Sequence, residues 1–178
     1  MKRTLLIVIS ALLCACGGPS GSMRKQVNSL IAARDFAGAE ARITKEKQGS
    51  YGKKNQVLYY LDLGAVQHDG GKYKESDRSF EAAETRMEEL FTKSVSKAAG
   101  TLLINDNTTE YAGERFERAL VNVYRALSYL FRSDREGALV EIRKLSRLLQ
   151  EYADTSAGKS TAYKDDAFAQ YLASLLYA

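Results

Sequence analysis

Leu63-Gly64-Ala65-Val66-Gln67-His68-Asp69-Gly70-Gly71-Lys72-Tyr73, followed by Ser76, Phe80 and Ala83, is the stretch that decides the architecture of this chain. An apolar-rich run over roughly 53–69 stops at two adjacent glycines, and a second run begins at once. In that second run Tyr73, Ser76, Phe80, Ala83, Met87, Leu90 and Phe91 recur at steps of three and four residues, one apolar stripe of a helix from Lys72 to about Phe91. Gly64 lacks a Cβ, so two helices can approach closely there, and Gly71 permits the backbone reversal between them. The stretch is a helical hairpin.

Similar pairs lie on both sides. Residues 23–33 and 37–47 form one, turning at Arg34-Asp35-Phe36; roughly 112–132 and 135–152 form another, joined by Ser133-Asp134. A polar loop at 154–163 leads to a last amphipathic segment, 165–178, through Phe168, Tyr171, Leu172 and Leu175. Leu63-Gly64, Gly71, Tyr73, Phe80 and Ala83 closely resemble the tetratricopeptide repeat pattern, with Ser76 where that pattern has alanine and no closing proline. Weaker copies centre on Asp35-Phe36 with Ala39, and on Asp134 with Ala138 and Ile142. The small residues Ala39, Ser76 and Ala138 are 37 and 62 residues apart. The first gap approaches the roughly 34-residue period, and the second points to an insertion near 92–111. The expectation is an all-α, TPR-like repeat domain over 23–178, about three hairpins plus a terminal half-repeat, with a generic helical bundle as the alternative.

Composition fits this. Of 178 residues one is proline and none is tryptophan; 45% are apolar and 27% charged, values of a globular domain. A single histidine excludes a multi-histidine metal centre, and two cysteines three positions or fewer apart exclude a disulfide scaffold.

The N-terminus carries a different message. Lys2 and Arg3 precede the apolar run Leu5 to Leu13, too short to span a bilayer but proportioned like a signal-peptide core. It ends in Leu13-Cys14-Ala15-Cys16-Gly17-Gly18, which resembles the bacterial lipobox. Cys16 is the expected acceptor of diacylglycerol, because Ala15 fills the small position and Leu13 the branched one; Cys14 would put Leu13 at the small position. Cleavage would remove 1–15 and leave 16–22, Gly-, Pro- and Ser-rich, as a tether. Simple secretion with Cys16 as a free thiol is the alternative. Without Lys2 and Arg3 the chain keeps 24 basic against 22 acidic side chains, about +2, too near neutral to point to nucleic acid.

Together with the lipobox, Ile104-Asn105-Asp106, Tyr111 to Glu117, Tyr124 to Leu130, Ala138 to Arg143 and Asp166 to Leu172 resemble uncharacterised tetratricopeptide-containing lipoproteins of Gram-negative bacteria. The resemblance covers less than half of the chain and consists of packing motifs. It implies a periplasm-facing lipoprotein in envelope assembly, without an assigned activity; the stacked hairpins add the expectation of a non-enzymatic adaptor for other envelope proteins, with a permanent structural subunit of a lipoprotein complex as an alternative. Gly17, in place of an aspartate retention signal, agrees with the outer membrane. Ending in mid-repeat on Leu175-Leu176-Tyr177-Ala178 departs from that family's longer pattern, and implies a truncated form or an end completed by a partner or a second copy through 165–178.

Few constellations suggest chemistry, and no cofactor is implied. Ala153 to Ser160 satisfies a loose phosphate-loop pattern, but a Leu- and Arg-rich helix stands where a strand is required, so nucleotide binding is rejected. Asp106, Asn107, Thr109 and Glu110 lack calcium-loop spacing, and no metal site is expected. His68 at a helix end fits a dipole partner. On helix 112–132, Phe116, Leu120, Val123, Leu127 and Leu130 share the side expected to face the core, and Arg118, Arg125 and Arg132 the opposite one. That basic strip, extended by Arg135, Arg143, Lys144 and Arg147, is a candidate surface for an acidic protein segment or an anionic glycan; its simpler reading is a solvated face. Glycan hydrolysis would require acids such as Glu114, Glu117 and Glu141 to converge on one cleft. Tyr59, Tyr60, Tyr124 and Tyr129 lie on first helices of the pairs, where a repeat groove would run.

Overall fold

The computed structural model describes residues 21–98, 110–155 and 167–177, all-α with no strand among them. The signal segment 1–15, Cys16, most of the 92–111 insertion and the Gly158-Lys159-Ser160 stretch lie outside the described residues. Seven helices follow in order: α1 Gly21–Ala32, α2 Phe36–Lys45, α3 Gln56–Asp69, α4 Tyr73–Ala98, α5 Arg115–Phe131, α6 Arg135–Thr155 and α7 Ala167–Tyr177. One turn of π-helix, Lys47–Tyr51, bridges α2 to α3. Each helix packs on the next, and α3 also meets α5, the first helices of successive pairs. No described helix is long and apolar enough to cross a membrane.

Three hairpins turn in the same way. Arg34, Gly71 and Ser133 all take positive φ, between 59° and 75°. Each donates its N–H to the carbonyl three residues back, and the residue after it donates five back: Arg34 to Ile31 and Asp35 to Leu30, Gly71 to His68 and Lys72 to Gln67, Ser133 to Leu130 and Asp134 to Tyr129. These bonds satisfy the orphaned carbonyls of α1, α3 and α5. Five residues beyond each positive-φ position stands a fully buried small residue, Ala39, Ser76 or Ala138. Asp35 and Asp134 also cap the next helix by accepting from the Gly38 and Gly137 N–H groups, at 2.9 and 2.8 Å. The register read from the sequence is thus repeated in the backbone.

Close packing accounts for the other residues of the α3–α4 hairpin. A Cβ on Gly64 would stand 3.0 Å from three carbons of the Phe80 ring. Ser76, in the place of alanine, is tolerated in the core because its hydroxyl donates to the Gly64 carbonyl at 2.8 Å. Phe80, Ala83 and Met87 fill the space between α3 and α5 with Val57 and Val121. Tyr73 stays half-buried, stacked on Phe131 with ring centres 4.8 Å apart. Helix α4 continues seven residues past the expected end at Phe91, and Tyr111 ties the chain back by donating its N–H to the Lys54 carbonyl at 2.8 Å. Leu172 of α7 joins the cluster of Ala119, Val123, Ala126, Ala138 and Leu139.

Candidate functional site

Helix α5 is where sequence and structure part. It lies between α4 and α6, so two flanks are covered instead of one. The covered residues are small or polar as often as they are large: Ala119, Val121, Asn122, Val123, Arg125, Ala126 and Ser128. Small side chains let both neighbours approach closely. The sector left outside carries Phe116, 47% exposed, Leu120, 46%, and Phe131, 60%, with Leu127 half-buried among them. Phe116 and Leu120, expected in the core, therefore face out.

Arg125, expected on a basic surface strip, is 4% exposed, and this corrects that expectation. Its Nε donates to Asp77 Oδ1 at 2.8 Å and its Nη1 to Glu84 Oε2 at 2.6 Å, both from α4. From α6, Glu141 places Oε1 3.4 Å from Nη2. Asp77 and Glu84 are seven residues apart, two turns on one face of α4, which suits the fork of a guanidinium. Lys144 reaches Glu84 at 3.3 Å and Glu141 at 3.4 Å. Burial opposes the charge on Arg125, but Asp77, Glu141 and Glu84 outweigh it and hold the guanidinium above its ordinary pKa. Burial likewise pushes the Glu141 carboxyl up, against the pull of Arg125 and Lys144. This cluster ties three helices together.

The rest of the expected strip is divided. Arg118 stands over the Phe91 ring at 5.5 Å and Arg132 over Tyr129 at 5.1 Å. An open groove of about 500 Å³ runs between α4 and α6 with α5 as its floor. Glu81, Glu84 and Glu88 line one wall, and Lys144 and Arg147 the other, so the groove is of mixed sign and not a basic track. The three acids considered for hydrolysis do not meet. Glu117 accepts from the Tyr111 hydroxyl at 2.5 Å and from the Glu114 N–H at 2.8 Å, at the start of α5. Glu141 faces Arg125, eight residues or about 12 Å further along the axis.

The tyrosines also separate. Tyr59 is buried, edge-on to Tyr51 and Tyr60 at 5.4 and 5.1 Å, so it is a packing residue and not part of a surface; Tyr60 is half-exposed. The Tyr51 hydroxyl donates to Asp62 Oδ2 at 2.6 Å, and burial raises the pKa of both partners. Tyr124 and Tyr129 are half-buried on α5; Tyr124 stacks on Phe80 at 5.1 Å. His68 sits edge-on to Tyr73, Tyr124 and Phe131, with Nδ1 2.9 Å from the Ser128 hydroxyl, and burial lowers its pKa. It is a bridge between α3 and α5 and not only a helix-end charge.

No protein-family model, curated protein or solved structure matches the chain. Geometry alone carries the functional reading. Among the described residues no group of three or more His, Cys, Asp or Glu side chains is placed to hold a metal ion. What the geometry does offer is a surface: the outward residues Phe116, Leu120 and Phe131 of α5, with Tyr171 and Leu175 also exposed on α7. Sequence reasoning missed Asp77 and Glu84 as partners of Arg125; their two-turn spacing was the available signal.

Proposed function

We propose that this chain is a non-enzymatic protein–protein interaction module, built of TPR-like hairpins and held by a lipid on Cys16 in the outer membrane, facing the periplasm. The repeated turn, the Gly64–Phe80 approach and the buried Ala39, Ser76, Ala83 and Ala138 support the TPR-like reading. Stacked hairpins present their first helices along one side, a surface suited to a protein segment.

A single observation carries the interaction role: α5 leaves Phe116, Leu120 and Phe131 in solvent while it buries an arginine. Exposing large apolar side chains has no benefit for an isolated domain, and a contiguous patch of them marks a binding surface. The anchor rests on the lipobox-like Leu13-Cys14-Ala15-Cys16.

The test is a Phe116→Glu, Leu120→Glu double variant beside Cys16→Ser. The double variant keeps the far-UV spectrum and melting midpoint but loses the species cross-linked to wild type by formaldehyde in cells. Cys16→Ser leaves the membrane fraction. An unchanged set of cross-linked species in the double variant overturns the interaction role; retention of Cys16→Ser on membranes overturns the anchor.

A further inference from the structure

On α5 the exposed large apolar residues are Phe116, Leu120 and Phe131, and Leu127, half-buried against the cluster of Ala126 and Leu139, lies in line with them. Their spacing is a palindrome: Phe, three residues, Leu, six residues, Leu, three residues, Phe. At about 100° per residue the four fall within a wedge of about 60°, spread over about 22 Å of axis. Val123 and Tyr124 straddle the midpoint.

A palindromic stripe on a helix is complementary to itself when a second copy runs antiparallel. A two-fold axis through the midpoint sets Phe116 against the partner's Phe131, and Leu120 against the partner's Leu127, twice each. That is the isologous arrangement of most homodimers. We infer that the partner of the α5 stripe is a second copy of this chain, paired antiparallel about the Val123–Tyr124 midpoint. The inference rests on the interaction-module reading and names the occupant of the same surface.

Charge favours the pairing. Antiparallel helices set opposite ends of their dipoles side by side. Arg115 and Arg132, which fall in matching positions of the palindrome, would otherwise repel across the axis. Both are turned off the stripe onto rings of their own chain, Arg115 over Tyr152 at 5.2 Å and Arg132 over Tyr129 at 5.1 Å. The Phe131 end is broadened by stacked Tyr73, which gives the partner's Phe116 an aromatic seat.

Area sets the strength. At roughly 150–250 Å² for a whole aromatic side chain, the exposed parts of Phe116, Leu120 and Phe131 contribute on the order of 300 Å² per copy. Both copies with their margins stay below about 1,200 Å², the range of weak, reversible contacts. Tethering on one membrane raises the effective concentration, so a weak contact suffices there.

The test uses the full chain in membranes, with two epitope-tagged copies co-expressed and oxidised with copper–phenanthroline. Leu120→Cys on one copy and Leu127→Cys on the other form a disulfide-linked pair at least five times more abundantly than either variant with itself. Like positions lie about 10 Å apart along the axis in this register, beyond disulfide reach. Phe116→Cys with Phe131→Cys repeats the pattern, so a folding defect in one variant does not decide the outcome. Wild type gives the background of Cys14 and Cys16, and Val140→Cys on α6, also exposed, gives the collision rate. Like-with-like pairs in excess overturn the antiparallel register. Yields no higher than Val140→Cys overturn self-pairing; if the stripe still governs formaldehyde cross-linking to other proteins, the interaction-module reading survives that result.

Discussion

Replacing Arg125 with methionine keeps most of the side-chain length and removes the guanidinium that Asp77, Glu84 and Glu141 surround. Lys144 is left facing Glu84 and Glu141, and Asp77 loses its ion pair with Arg125. Removing one partner of a buried ion cluster costs about 3–5 kcal/mol, because the remaining charges are left without compensation. A domain of ordinary stability has about 5–15 kcal/mol in total, so the variant retains a fraction of it. The melting midpoint falls by on the order of 10 °C. Urea unfolding followed by circular dichroism reads the difference, in a Cys16→Ser background. Two internal checks sharpen it. Adding Glu141→Gln to Arg125→Met recovers part of the loss, since the buried acid is then neutral. Lowering the pH narrows the gap as well. Without Arg125 the Glu141 carboxyl, already raised by burial, loses the charge that pulls it down, and a carboxyl raised in the folded state weakens the fold at high pH, an effect that fades as pH falls through the folded pKa toward the unfolded value. A loss within about 0.5 kcal/mol, as for a solvated arginine, would refute the buried cluster.

Gly64→Ala pushes a methyl against the Phe80 ring and costs about 1–3 kcal/mol by overpacking, read from the same unfolding curves. Ser133→Gly relieves a non-glycine residue at φ 60° and raises stability by up to about 1 kcal/mol, while Gly71→Ala lowers it by about 1 kcal/mol. His68 has its folded pKa lowered by burial, so its contribution is complete above the ordinary histidine value near 6.5 and is lost as pH falls through the folded pKa. An NMR titration of the chain's single imidazole places its midpoint below that of a model peptide, and His68→Gln removes this part of the acid sensitivity.

The hairpins were legible in the sequence because turn chemistry is local. Gly71, Asp35 and Asp134 mark the turns directly, and the 37-residue step from Ala39 to Ser76 reappears as identical backbone bonding. The faces of α5 were not legible. Periodicity assigns the stronger apolar side to the core, which holds for a helix with one covered flank. Here the helix has two covered flanks, and the residues that fit between close neighbours are Ala119, Ala126 and Ser128. The burial of Arg125 depends on acids 48 and 41 residues earlier, a relation that only the fold creates. Tyr59 misled for the same reason: a first-helix tyrosine lines a surface only if nothing, such as the Lys47–Tyr51 turn, packs over it.

The interaction role depends on which side of α5 faces water. Single cysteines in a Cys14→Ser, Cys16→Ser background, labelled with a maleimide at nanomolar protein where copies do not pair, measure it. Leu120→Cys reacts within a few-fold of the exposed Val140→Cys, and Ser128→Cys, a one-atom change at a fully buried site, reacts at least a hundredfold more slowly. A protected Leu120→Cys beside a reactive Ser128→Cys would contradict the account.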